Sequence, residues 1–157
     1  MPGSKKPKTE KEEKHMDREK IDAYLVNSGA DAAFDPNSEL HLPKFLKGST
    51  ELGAKTGMKR LPTKEAYLET EPKDKDSYQA AYQNSKDALL RCGRLLEEDT
   101  FSGKITGIVF AGMKDMSPAV LVIQVEQENL KISAYAKEGL ISQHTAEKAI
   151  DKFVQAL

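Results

Sequence analysis

The chain has 157 residues, 38% hydrophobic and 31% charged, with a formal net charge of −1. That is the length of one ordinary domain, and so balanced a charge gives no bulk attraction to nucleic acid or to an anionic membrane. The single cysteine, Cys92, excludes an intrachain disulfide, and the longest apolar run, 119–123, is far short of the ~20 residues needed to cross a bilayer. The N-terminus is polar and has no apolar core of a secretory signal. The expected location is therefore cytoplasmic, with the nucleus as an alternative.

Residues 1–15 hold no aliphatic or aromatic residue beyond Met1, so burial cannot offset the entropy of ordering them. They are expected to be a disordered tail. The basic cluster Lys5, Lys6, Lys8 is followed by acids that cancel it. Within 16–29, Ile21, Tyr24 and Leu25 recur at helical spacing and Gly29 can end the turn, which predicts a short helix. Alone it is too short to be stable, so it must dock on something. Residues 30–76 are broken by Pro36, Pro43, Pro62 and Pro72 and by Gly48, Gly53 and Gly57. This stretch reads as an irregular arm or linker.

From 77 to 157 the periodicity is clear. Ser77 can cap a helix whose stripe runs through Ala81, Tyr82, Ser85, Ala88, Leu89, Cys92, Leu95 and Leu96. Lys104–Ala111 is β-branched and apolar and reads as a strand. Ala119–Val125 is apolar on both parities, the mark of a central strand covered on both faces. Leu130–Ala136 alternates strictly and reads as a half-exposed strand. Ala146, Ala149, Ile150, Phe153, Val154 and Leu157 make the cleanest amphipathic helix, with Ser142 as its cap. The fold class is α+β: an α-β-β-β-α domain with a three-stranded antiparallel meander covered by two helices on one face, preceded by the tail, the short helix and the arm.

Candidate chemistry is sparse. Gly48-Ser-Thr-Glu-Leu-Gly53-Ala54-Lys55-Thr56 approaches a phosphate loop, but Ala54 is one residue too many and no apolar strand precedes it. His15, His41 and His144 have no paired ligands, so neither metal nor cofactor is expected. Cys92 lies on an apolar stripe and reads as a core thiol. Glu97, Glu98 and Asp99 read as a solvated helix end, and Met113 and Met116 as turn packing. No nucleophile–base pair stands out, and the chain is expected not to be an enzyme, a small enzyme without a recognisable motif being the minor alternative.

The favoured function is a protein-interaction or adaptor subunit, with a protein partner or a second copy of the chain. Two helices on one face leave the other face of the central strand uncovered, so a partner is expected to dock on that sheet face and/or on the N-terminal arm of residues 30–76. On that face Val120, Val122 and Gln124 lie beside Lys131, Ser133 and Tyr135, and these six are the expected partner-binding residues. The opposite parity, Leu121, Ile123 and Val125, faces the helices. The alternative is RNA binding. The α-β-β-β-α order and the run Gly139-x-x-Ser142, Ala146-x-x-Ala149, Leu157 resemble double-stranded-RNA-binding domains. That resemblance implies a lysine-rich start to the last helix for phosphate contact. In this chain the start holds only Lys148, beside Glu147, which favours the adaptor reading.

Overall fold

The structure is a computed structural model and describes residues 10–33, 53 and 55–157. Helix α1 (Glu10–Ala33) is followed by strand β1 (Thr63–Thr70) and helix α2 (Tyr78–Cys92). Strands β2 (Arg94–Asp99), β3 (Lys104–Ala111), β4 (Ser117–Val125) and β5 (Leu130–Lys137) come next, and helix α3 (Thr145–Ala156) closes the chain. The strands form one antiparallel sheet of five, in the order β1-β5-β4-β3-β2. The fold is α+β, with the expected three-stranded meander as the centre of a wider sheet.

The two additional strands have identifiable physical origins. Helix α2 stops at Cys92 because Gly93 turns into extended backbone, donating its N–H to the Leu89 carbonyl. A Cβ at Gly93 would run into the Ile108 carbonyl oxygen, so only glycine lets β2 approach β3 there. The predicted helix therefore ends early. Leu95 and Leu96, read as its last stripe positions, lie in β2 and pack against opposite cores. Strand β1 forms inside the stretch expected to be an irregular arm. Its Ala66 and Leu68 pack on the main core while Glu65, Tyr67 and Glu69 are exposed, which gives the alternation of an edge strand. It pairs with β5 without a slip, from Thr63↔Lys137 to Thr70↔Leu130.

The main core lies between the sheet and helices α2 and α3. Leu121, Ile123 and Val125 of β4 and Ile132 of β5 meet Leu89 and Phe153 there. Phe153 is fully buried, a contribution of roughly 1.5–3 kcal/mol for such a side chain. Ser77 caps α2 as expected, its hydroxyl accepting from the Ala80 N–H at 3.3 Å. Ser142 does not cap α3. The buried carboxylate of Glu138 takes that position, accepting from the Thr145 N–H at 2.6 Å and from the Ser142 hydroxyl at 3.2 Å. Burial opposes the charge of Glu138, but these donors outweigh it and hold its pKa below the ordinary carboxylate value.

Helix α1 extends beyond the expected 16–29 at both ends. It crosses the second face of the sheet, and Ile21 and Leu25 bury Ile108 and Val120 beneath it. Polar contacts frame that small apolar footprint. Lys104 meets Asp17 at 2.8 Å, Lys20 meets Glu97 at 2.6 Å, and the Tyr24 hydroxyl donates to Glu97 at 2.5 Å. At the other side Asp22 accepts from Thr63 at 2.9 Å and faces Lys137 at 3.2 Å. Residues 1–9 of the expected tail and 34–52 and 54 of the expected arm lie outside the described residues.

Candidate functional site

The strand register puts the six expected partner-binding residues on one face, as the alternation required. Val120 is opposite Tyr135, Val122 opposite Ser133 and Gln124 opposite Lys131. That face is not an open docking surface. Val120 is fully buried under α1, and Val122 and Tyr135 pack partly buried against the same cluster. Helix α1 supplies from within the chain the cover that two helices could not. The uncovered remainder is polar and engaged locally: Lys131 pairs with Glu126 at 2.7 Å, and the Gln124 amide donates to the Ser102 carbonyl at 2.6 Å.

The remaining candidates diverge. Glu97, Glu98 and Asp99 lie on β2, not at a helix end. Glu97 is held below its ordinary pKa by the hydrogen bond from Lys20 and then by Tyr24. Glu98 is lowered mainly by Lys86, and Asp99 mainly by Ser102. Three carboxylates with separate partners form no acid–base pair. Cys92 packs against the main core, and burial pushes its thiol pKa up, as for a structural thiol. Among the described residues no group of three or more His, Cys, Asp and Glu is placed to hold a metal ion. Lys55 and Thr56 of the loop-like sequence lie in the helical residues 55–60, while Gly48 lies outside the described residues. A cleft of about 450 Å³ lies between that helical turn and α1, with Lys55, Lys59 and Lys137 facing Glu19 and Asp22. The near balance of those charges gives it no preference for an anion.

The strongest surface feature is one end of the sheet. Antiparallel pairing brings the turn Gly112–Met116, the loop 138–144 and the segment 58–62 to the same edge. Gln143 ties the first two together: its side-chain oxygen accepts from the Met113 N–H at 3.3 Å and from the Ser117 hydroxyl at 3.2 Å. The Glu138 N–H donates to the Pro62 carbonyl at 3.2 Å and joins the third. Gly112 has φ 79 and ψ −147, a conformation reserved for glycine, and a Cβ there would press on Gln143 and Thr145.

Four large apolar side chains stand out from this scaffold. Leu140 is 107% exposed, Ile141 79%, Met116 65% and Met113 63%. The non-glycine residues with positive φ among those described, Lys114, Asp115 and His144, are all at this same end. Backbone strain of about 1–3 kcal/mol per residue persists only where the surroundings impose it. Exposed Phe101, at the opposite end, stands alone in its turn. Sequence reasoning missed Leu140 and Ile141. Their signal was that they fall after the strand alternation ends at Ala136 and before the helical series starts at Ala146. Met113 and Met116 were read as turn packing, yet they point to solvent.

With five strands and helices on both faces, the topology differs from the α-β-β-β-α order on which the likeness to double-stranded-RNA-binding domains rested. No helix among the described residues is long and apolar enough to cross a membrane. Comparison with protein families, with curated proteins and with solved structures returns no match.

Proposed function

We propose that this chain is a non-enzymatic protein-interaction or adaptor subunit that docks a different protein through the loop-bearing end of its sheet. The observation that carries this reading is the cluster of Met113, Met116, Leu140 and Ile141 on hydrogen-bonded, backbone-strained turns. Several large apolar groups exposed at one end of an ordered scaffold point to a contact site, whereas single scattered exposed apolar residues do not. Methionine adds an adaptable, polarisable contact. The sheet face is no longer the proposed surface, because α1 occupies its apolar half.

A photoreactive residue in place of Leu140, compared with one in place of Glu128 in the turn at the opposite end, tests this in native lysate. A discrete heterologous adduct formed from position 140 and absent from position 128 is expected. Equal labelling from both positions, no adduct, or an adduct between two copies of this chain overturns it.

A further inference from the structure

The two edges of the sheet differ in what they leave unpaired. Successive residue pairs of an antiparallel ladder alternate between hydrogen-bonded and non-hydrogen-bonded. Glu138 donates its N–H to the Pro62 carbonyl, one step before the first β1–β5 pair, Thr63↔Lys137. The even-numbered residues of β1 therefore turn their N–H and C=O groups to β5, and Thr63, Glu65, Tyr67 and Glu69 turn theirs outward. The same parity, carried across the sheet, requires Val125 to bond to Gly103, and Val125 does donate to the Gly103 carbonyl, at 2.9 Å. No hydrogen bond with another described residue reaches the outward backbone groups of β1.

We propose that this free edge takes an extended segment of a different protein as an added strand, with apolar side chains beside Ala66 and Leu68 and basic ones opposite Glu65 and Glu69. Backbone chemistry selects an extended segment, because donor and acceptor groups repeating about every 7 Å match the two-residue repeat of a strand. No bulge or slip interrupts β1. The other edge, β2, has six residues and a register shift between Leu95 and Glu97, which is the form of a protected edge. Ala66 and Leu68 are only half-buried at the rim of the main core, so an added strand completes their burial. On the opposite side of β1, Glu65, Tyr67 and Glu69 are exposed. Arg18, itself exposed, reaches Glu65 only at 3.9 Å, and Lys131, opposite Glu69 in the register, is held by Glu126 at 2.7 Å.

The same charges disfavour a second copy of β1 as the occupant. Two copies related by a two-fold axis must pair outward residues with outward residues, so the axis falls on a residue. Centred on Lys64, Glu65 or Glu69, it sets a charge against its own copy. Centred on Tyr67 it sets Glu65 against Glu69, and centred on Leu68 it sets Glu65 against Glu71. Centred on Ala66 it sets Lys64 against Leu68. Like charges directly opposite each other destabilise a strand pair. A different strand with lysine or arginine opposite Glu65 and Glu69 meets none of these clashes and gains two opposite-charge pairs. This edge is a second contact surface, independent of the four exposed tips at the loop-bearing end.

The test uses the full chain and a fluorescent nine-residue peptide with valine at its even positions, lysine at the third and seventh, and threonine elsewhere. In the free chain, amide exchange followed by NMR is expected to be fast at Thr63, Glu65, Tyr67 and Glu69 and slow at the even-numbered positions between them. The peptide is expected to bind and to slow exchange at the outward amides. A copy methylated on the backbone nitrogens of its odd positions is expected to bind at least about tenfold more weakly, as is a copy with glutamate in place of both lysines. Tyr67→Pro removes one outward donor without touching the β5 ladder, so it is expected to fold, as circular dichroism checks, and to weaken binding by at least about tenfold. If that variant unfolds, the methylated peptide, which leaves the protein unchanged, decides. Outward amides already slow in the free monomer, no binding of the lysine peptide, or equal binding of its methylated copy overturns the added strand. Equal binding of the glutamate copy overturns the basic partner. A dimer of the free chain in sedimentation equilibrium, with the outward amides protected, assigns the edge to a second copy and overturns the different protein.

Discussion

Replacing Leu25 by alanine tests whether helix α1 is an integral cover of the sheet. Leu25 is fully buried between α1 and the pair Ile108 and Val120. The substitution removes three methyl-sized groups, about 2.4 kcal/mol at ~0.8 kcal/mol each. A residual void of roughly 50 Å³ at ~24 cal/mol per Å³ adds about 1 kcal/mol if the site does not collapse. The expected loss is about 3 kcal/mol, a large part of the ~5–15 kcal/mol that holds a domain of this kind. Urea unfolding followed by circular dichroism measures it, and hydrogen exchange of the α1 amides locates it. The exposed Asn27 on the same helix serves as the control, and its change to alanine is expected to stay within about 0.5 kcal/mol. A Leu25→Ala loss below about 1 kcal/mol, with α1 amides exchanging like those of a free peptide, would refute the packing of α1 described above.

The polar frame of α1 has a pH signature. Because Glu97 is held below its ordinary value by Lys20 and Tyr24, its stabilising effect is complete above the unfolded carboxylate pKa and fades as pH falls through the folded one. The stability difference between wild type and Glu97→Gln, followed by urea titration, is therefore expected to shrink below about pH 4. Tyr24 is pushed up to about 12, chiefly by its hydrogen bond to Glu97. Its contribution is complete below about pH 10 and is lost as pH rises through 12; a Tyr24→Phe variant with no reduced stability at neutral pH would contradict that bond. Gly93→Ala is expected to cost at least about 2 kcal/mol by steric overlap with Ile108, since the extended backbone there suits any residue. A thermal midpoint within one or two degrees of wild type, on the order of 0.3 kcal/mol, would disprove the overlap. Leu140→Ser is expected to change stability by less than about 0.5 kcal/mol while abolishing the heterologous adduct, because the side chain touches solvent and not the core.

Much of the interior was legible from residue spacing alone. The strict alternation of Leu130–Ala136 fixed which side chains of β5 face the main core, and the i, i+3, i+4 series from Ala146 to Phe153 fixed the buried stripe of α3, because pleat and helix pitch are local geometry. The double-sided apolar character of 119–125 likewise required cover on both faces of β4. Nothing local stated what that cover was. Ile21 and Leu25 mark α1 as a helix that must dock, but its place over Ile108 and Val120 depends on Lys104, Glu97, Thr63 and Lys137, which are 41 or more residues away in the chain. Strand β1 was hidden for the same reason. TKEAYLET is short and half polar, and it becomes a strand by pairing with β5 about 60 to 74 positions later. Leu95 and Leu96 fit helical spacing and strand alternation equally until Gly93 had to pass close to Ile108. The proposed contact surface is wholly a product of tertiary structure: Met113 and Leu140 are distant in sequence, and only antiparallel return of the strands, locked by Gln143, places their turns together.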